Sequence, residues 1–151
     1  MNLRQNQKGF TIVELLIVVV VIAILAAISI VAYTGITNRA NRSAAMEAAN
    51  SVRSVAVAYN GANGGYPTSK ALFVSGGTDA IAKLPSDITF KATAPVAADD
   101  PKTVMVVRHP GTGTITGFTI TYWDYAPTGG GAATTATITV GDTSVASTTV
   151  L

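Results

Sequence analysis

Cysteine is absent from the 151-residue sequence. Its absence excludes disulfide bonds, cysteine nucleophiles and thiolate metal sites. Charged residues are also scarce, at 12% of the chain, which is about half the usual share in globular domains. A chain with so few charges does not have the surface of an ordinary water-soluble protein. An apolar segment near its start and a second half rich in Thr, Ala, Gly and Ser account for the deficit.

An excess of positive charge is also missing once the start of the chain is set aside. The formal net charge is +2, from ten basic and eight acidic side chains. Arg4 and Lys8 both precede the apolar segment, so removal of residues 1–9 leaves eight basic against eight acidic side chains. A basic nucleic-acid-binding surface is therefore not supported.

The apolar segment covers residues 10–33, and residues 15–28 are all Leu, Ile, Val or Ala. About 20 such residues cross the hydrocarbon core of a bilayer as a helix. The segment exceeds the apolar stretch of roughly 7 to 15 residues found in cleaved secretory signals. Its length fits a membrane anchor, but a plain anchor does not explain its single charged residue, Glu14.

A carboxylate inside a bilayer helix is unfavourable by about 2.5–3.5 kcal/mol at the centre, and such acids usually have a partner. Glu14 lies four residues after Phe10, so both fall on one helix face. Cleavage between Gly9 and Phe10 would create an α-amino group, largely cationic at neutral pH, near the same depth. The amine of the same chain or of a neighbouring chain is then a candidate partner for Glu14.

Positions 8–16 read KGFTIVELL, which resembles the class III signal of type IV pilins and the related pseudopilins. The resemblance implies a prepilin peptidase that cuts after Gly9, N-methylation of Phe10, and a role for Glu14 in assembly. It also implies further partners: copies of the chain in a helical filament, an assembly platform with its ATPase, and membrane lipid before assembly. The implied locations are a single-pass inner-membrane precursor and an extracellular pilus.

Apolar residues continue beyond the membrane segment with helical spacing, which predicts an amphipathic helix over residues 34–60. The predicted stripe consists of Ala40, Ala44, Ala48, Val52, Val55 and Tyr59. Residues 60–65, NGANGG, predict the end of this helix, because Gly and Asn adopt the left-handed conformation of helix ends. The following Tyr66-Pro67 resembles the turn that closes the long helix in pilins, with Tyr66 expected in simple packing.

Residues 61–102 are expected to form a connecting region, with a short helix near 70–73, a further turn over 78–84 and a short strand at 88–90. Alternating or β-branched residues then predict strands at 103–108, 118–122, 136–140 and 145–150. Short connections favour antiparallel pairing over residues 103–151. The predicted fold class is α+β, the pilin fold: a long helix, its first half membrane-spanning, packed by its second half against a C-terminal antiparallel sheet.

Few residues are candidates for catalysis, metal binding or ligand binding. His109, the single histidine, is interpreted as a solvated loop residue, and Asp99-Asp100 alone cannot supply the six to eight oxygen ligands of calcium. An aromatic group at Tyr122, Trp123 and Tyr125 is explained by packing, although a surface or DNA ligand stays open. Glycines 111, 113 and 117 lack the lysine of a phosphate-binding loop. No enzyme activity and no cofactor are predicted.

The sequence therefore predicts a type IV pilus subunit, with residues 1–9 as leader and 10–33 as the filament core. Two alternatives stay open: a pseudopilin of a type II secretion system, and a membrane-anchored binding domain that does not polymerise. Many Gram-negative pilins hold their C-terminal region together with a disulfide bond. This chain has to hold that region by strand pairing and packing alone.

Overall fold

The computed structural model describes residues 9–75, 83–127 and 130–151. The elements in chain order are α1 (Ile12–Asn63), α2 (Lys70–Ser75), β1 (Thr89–Phe90), β2 (Thr103–His109), β3 (Gly117–Asp124) and β4 (Thr134–Gly141). The predicted short helix near 70–73 is confirmed as α2. Most of the turn predicted over 78–84 lies outside the described residues. The chain divides into two compact units, Met1–Thr37 and Asn38–Leu151.

In the second unit, α1 buries a stripe of small residues against the sheet: Ala45, Ala48, Ala49, Val52, Val55 and Ala56. Of the predicted stripe, Ala48, Val52 and Val55 are confirmed. Ala40 is exposed, and Ala44 and Tyr59 are half-buried. The actual contact is centred on a neighbouring row of alanines, because residues with almost no side chain let the helix backbone approach the sheet closely.

Helix α1 ends within the predicted stop, at Asn63. Gly64 follows with φ of 68°, and its N–H donates to the carbonyl of Asn60 at 2.9 Å. A left-handed residue with this bond is a common helix C-cap, and glycine adopts it without steric cost. The ring of Tyr66 then packs edge-on against Phe118, with 5.6 Å between centroids, which ties the end of α1 to the sheet.

The sheet has the order β1-β2-β3-β4, and the predicted α+β class is confirmed. Strands β2, β3 and β4 form the predicted antiparallel meander. Strand β1 lies before the residues predicted to form the antiparallel sheet and pairs with β2 in parallel, so the complete sheet is mixed. Residues 91–102 form a connection long enough to return the chain for parallel pairing. The ion pair between Lys91 and Asp99, at 2.8 Å, joins the two limbs of that connection.

The prediction of a strand over residues 145–150 was wrong in its length. Only an isolated antiparallel bridge forms there, between Val107 and Val150. The Arg108 N–H donates to the Thr149 carbonyl at 3.0 Å, and the Leu151 N–H donates to the Val106 carbonyl at 2.9 Å. The C-terminal residues thus extend the sheet edge beside β2 beyond the part that β1 occupies.

His109 is not the solvated loop residue expected. It is the last residue of β2 and is buried. Its Nδ1 lies 2.7 Å from the Val145 carbonyl, and its Nε2 lies 2.9 Å from Thr119 Oγ1. Because a carbonyl can only accept, Nδ1 donates to Val145. The alternation of β2 places this side chain beneath the C-terminal segment, so His109 fastens that segment in a chain that has no disulfide.

Candidate functional site

The predicted processing and assembly residues, Gly9, Phe10 and Glu14, lie together at the start of α1. Gly9 and Phe10 are exposed and non-helical, and the helix begins two residues after Phe10, at Ile12. A Cβ added to Gly9 would have no neighbour within 4 Å. The peptide bond between Gly9 and Phe10 is therefore sterically open and lies in backbone that a peptidase could bind without unwinding a helix.

Glu14 is held by Thr11 through three hydrogen bonds. Its carboxylate Oε2 accepts from the Thr11 N–H and from Thr11 Oγ1, both at 2.9 Å. The Glu14 N–H in turn donates to Thr11 Oγ1 at 3.1 Å. This reciprocal arrangement is a capping box, in which an N-terminal Thr and a Glu three residues later satisfy backbone groups that the first helical turn leaves unpaired.

Sequence reasoning missed Thr11, although the signal was present. Thr-x-x-Glu before an apolar run is the sequence pattern of a capping box. The sequence interpretation offered only the Phe10 amine as partner of Glu14, and that amine does not exist before cleavage. In the uncut chain, Glu14 is already hydrogen-bonded within its own chain.

Phe10 and Glu14 lie on the same side of the chain, although Phe10 precedes α1 and is not part of a helix face. Together with Leu15 and Val18, they line a shallow groove of about 300 Å³. The groove places an apolar ring, a carboxylate and two aliphatic side chains next to the proposed cleavage point. An N-terminal amine formed at Phe10 would therefore arise beside Glu14.

The apolar residues of the first unit are exposed. Exposure of the large apolar side chains between Phe10 and Ile36 ranges from 47% at Val20 to 88% at Phe10. By length and composition, α1 is able to cross a membrane. Burial of apolar surface contributes about 25 cal/mol per Å², so this surface requires lipid or other protein around it. The chain is consistent with a single-pass membrane precursor.

The other candidates are explained by local structure. Asp99 pairs with Lys91 and accepts from the Val96 N–H, and the Lys91 hydrogen bond is the main reason that the pKa of Asp99 lies below its usual value. Asp100 accepts from the Lys102 N–H. Within residues 9–75, 83–127 and 130–151, no group of three His, Cys, Asp or Glu side chains could hold a metal ion.

The aromatic residues do not form one surface. Tyr122 is buried in the core that faces α1, whereas Trp123 points to the opposite side of the sheet. The hydroxyl of Tyr125 donates to the Asp99 carbonyl at 2.9 Å. Packing and loop closure thus account for two of these rings, as expected.

One known protein-family model matches the start of the chain. Residues 4–30 match the family model described as the prokaryotic N-terminal methylation motif, the class III signal of type IV pilins and pseudopilins. Comparison of the chain with curated proteins and with solved structures gives no match. The motif includes the proposed cleavage point, the capping box and most of the exposed apolar surface. It supports a pilin-like or pseudopilin protein, a class of structural proteins.

Proposed function

We propose that this chain is a structural subunit of a type IV pilus. It is inserted as a single-pass precursor in the cytoplasmic membrane, cut after Gly9 by a prepilin peptidase and N-methylated at Phe10. The mature chain then polymerises through residues 10–33 into a surface filament. The observation that carries this proposal is that the methylation motif coincides with an exposed apolar helix in a chain whose other unit has its own core.

The start of α1 supports the processing step. The Gly9–Phe10 bond lies in exposed, non-helical backbone, and the capping box begins only at Thr11. Cleavage therefore leaves the helix cap intact and adds a cation one residue before it. Since the N-terminal end of a helix attracts anions and disfavours cations, this new amine gains from a carboxylate nearby.

Glu14 supports the assembly step. Both of its hydrogen bonds from Thr11 end on Oε2, and a carboxylate has about four acceptor positions. The carboxylate therefore has capacity for the Phe10 amine of a neighbouring copy while it still caps its own helix. Such a contact inside apolar surroundings fixes the register between copies, because an unpaired charge there is strongly unfavourable.

Polymerisation requires energy input under this proposal. Each large side chain that is fully buried contributes up to about 1.5–3 kcal/mol relative to water. The membrane already shields the same side chains from water, so extraction from lipid offsets much of that gain. An assembly platform with an ATPase, as the family resemblance implies, would supply the difference.

The decisive experiment compares single variants of the full chain expressed with the assembly machinery of its host. Gly9→Val fits the structure, because a side chain there meets no neighbour, and we expect it to block cleavage. Glu14→Ala should leave cleavage intact and abolish filaments. Glu47→Ala serves as the control, since Glu47 is also an exposed acid of α1 but lies beyond the apolar segment.

Two measurements decide the outcome. Mass spectrometry should find N-methyl-Phe10 at the terminus of the normal chain and of Glu14→Ala, and electron microscopy should find sheared surface fibres only in the normal chain and the Glu47 control. A chain that is processed but forms fibres only when overproduced, and whose loss stops protein export, would be a pseudopilin. A chain that is neither cut nor polymerised would be a membrane-anchored binding domain.

A further inference from the structure

The two edges of the sheet differ in protection. On one side, β2 is covered twice: by β1 at residues 103–104 and by the C-terminal residues at 106–108. On the other side, β4 is the last strand of the sheet. Among the described residues, no hydrogen bond joins residues 134–140 to any element other than β3. Within the part of the chain that the structure describes, the outer edge of β4 is therefore unpaired.

The register shows which residues form this free edge. Gly117 is paired with Gly141, and the Asp142 N–H donates to the Thr116 carbonyl. Hydrogen bonding to β3 in an antiparallel pair alternates along the strand, so the even-numbered residues of β4 bond to β3. The backbone N–H and C=O groups of Thr135, Thr137 and Thr139 consequently point away from the sheet.

This edge has none of the usual features that prevent strand pairing. Natural edge strands are commonly blocked by charged side chains, proline or bulges. No charged residue occurs over residues 125–141, and no proline follows Pro127. The pairing of β3 with β4 is unbroken over its full length. An extended backbone is the partner that such an edge fits, because only a strand satisfies its alternating donors and acceptors.

The sequence of β4 is also complementary to itself in the antiparallel direction. When two copies pair about Thr137, Thr137 lies opposite Thr137 and Thr135 lies opposite Thr139. On the face toward α1, Ala136 lies opposite Ile138. Threonine thus meets threonine on the outer face, where all three side chains are exposed, and apolar meets apolar on the other face. Such cross-strand pairs stabilise sheets, and no like charges face each other.

We propose that the edge of β4 pairs antiparallel with β4 of a second copy of this chain, with Thr137 at the centre. A contact of this symmetry joins the same surface of both copies and closes after two. It is therefore separate from polymerisation through the apolar helix. It would join subunits of two different filaments, or two copies before assembly.

The absence of cysteine makes the test direct. Thr137→Cys, in the full chain purified in detergent micelles, places two thiols on opposite residues of the paired strands. The spacing of a hydrogen-bonded antiparallel pair, about 5.5 Å between Cα atoms, lies within the range of a disulfide. Thr114→Cys is the matched control, because Thr114 is exposed but lies in the loop between β2 and β3. The control experiences the same crowding of chains by the micelle.

We expect mild oxidation to cross-link Thr137→Cys about tenfold or more faster than Thr114→Cys, since pairing replaces chance collision by a high effective concentration. Adding Thr135→Pro, which removes one outward N–H, should reduce the rate to that of the control. Thr135→Ser, which keeps the N–H, should not. Thermal unfolding of each variant tests whether the sheet remains folded.

Equal cross-linking rates at positions 137 and 114 would overturn the proposal. A fast rate at position 137 that Thr135→Pro leaves unchanged in a folded chain would also overturn it, because the contact would then not be strand pairing. Both outcomes are independent of cleavage at Gly9 and of filament formation, so they do not bear on the proposed function.

Discussion

The two units of the chain share one helix but use it differently. Within Met1–Thr37, the large apolar side chains of α1 are exposed, including Ile22 at 59% and Leu25 at 58%. Within Asn38–Leu151, α1 buries Ala45, Ala49 and Ala56 completely. Both regions are helical. The first exposes large apolar side chains, whereas the second buries small ones against the sheet.

The difference follows from side-chain size and charge. The first region is rich in Leu, Ile and Val on every face, as expected of a helix surrounded by lipid or by other apolar helices. From Arg39 onward, charged residues return and the apolar face narrows to Ala and Val. A narrow face of small residues suits one neighbouring sheet. The change in composition along one helix thus marks where packing against its own sheet begins.

Truncation of one large side chain in each region should show the largest difference between them. Phe118 is fully buried, in contact with Tyr66 and Phe73. We expect Phe118→Ala to reduce the free energy of unfolding of the second unit by about 3–5 kcal/mol, from lost transfer energy and a remaining cavity. Urea unfolding of the full chain in micelles, followed by Trp123 fluorescence, measures the change.

Ile22→Ala is the matched truncation in the first unit. Because Ile22 is exposed in the isolated chain, this variant should unfold like the normal protein and show its defect only in filament yield. A loss of stability in micelles as large as that of Phe118→Ala would show that the first unit has a partner within the chain. The first region would then not differ from the second in having its apolar side chains exposed.

A smaller effect is expected at the ion pair that fixes α1 to the sheet. Arg42 Nε lies 3.2 Å from Asp124 Oδ1, and the Asp124 side chain is only 10% exposed. Asp124→Asn keeps an acceptor for the Ala126 N–H but removes the charge. Because the Asp124 side chain is largely buried, this pair is screened less than exposed pairs, which contribute about 0–1 kcal/mol, and a loss of about 1 kcal/mol or more is expected in the same urea experiment.

Asp87→Asn is the control for Asp124→Asn, because it breaks an ion pair with Lys102 in which Asp87 is 52% exposed. Solvent screens exposed pairs, so its effect should be clearly smaller. Equal losses of unfolding free energy in the two variants would mean that burial does not set the strength of these ion pairs. The pair between α1 and β3 would then stabilise the fold no more than an exposed pair does.

Local patterns predicted much of this molecule. The apolar run, the stop at residues 60–65 and the β-branched or alternating patterns of three strands each depend on near neighbours in sequence, and the structure has the helix, its end and β2, β3 and β4 at these places. The capping box of Thr11 and Glu14 is equally local and could have been found from its spacing. The roles of Gly9, Phe10 and Glu14 in processing and assembly stay predictions.

What sequence did not predict depends on contacts between distant residues. His109 looked like a turn residue because Pro110 follows it, but its burial depends on Val145 and Thr119, which only the fold brings close. The parallel pairing of β1 likewise depends on how residues 91–102 return, and not on the two residues of the strand. Non-local partners of short segments have no signature in a single sequence.

The smallest effect expected is the acid sensitivity of the second unit. Hydrogen bonds hold the pKa values of three aspartates below their usual range: Lys91 acts on Asp99, Lys102 on Asp87 and the Ser144 N–H on Asp142. A lowered pKa in the folded state means that the unfolded chain takes up protons first. The stabilisation is therefore complete above about pH 4, the usual Asp pKa, and is lost as the pH falls further.

Thermal unfolding of the full chain in micelles between about pH 2 and 7 measures this loss, with near-UV circular dichroism reporting on the second unit. Asp99→Asn should flatten the acid limb of the curve, because the Lys91 pair no longer titrates. Between residues 15 and 36 there is no carboxylate, amine or imidazole, so helical signal from that stretch should persist when the second unit unfolds in acid. Loss of both signals at one pH would show that the two regions unfold together, and the distinction between them would concern their surroundings and not their stability.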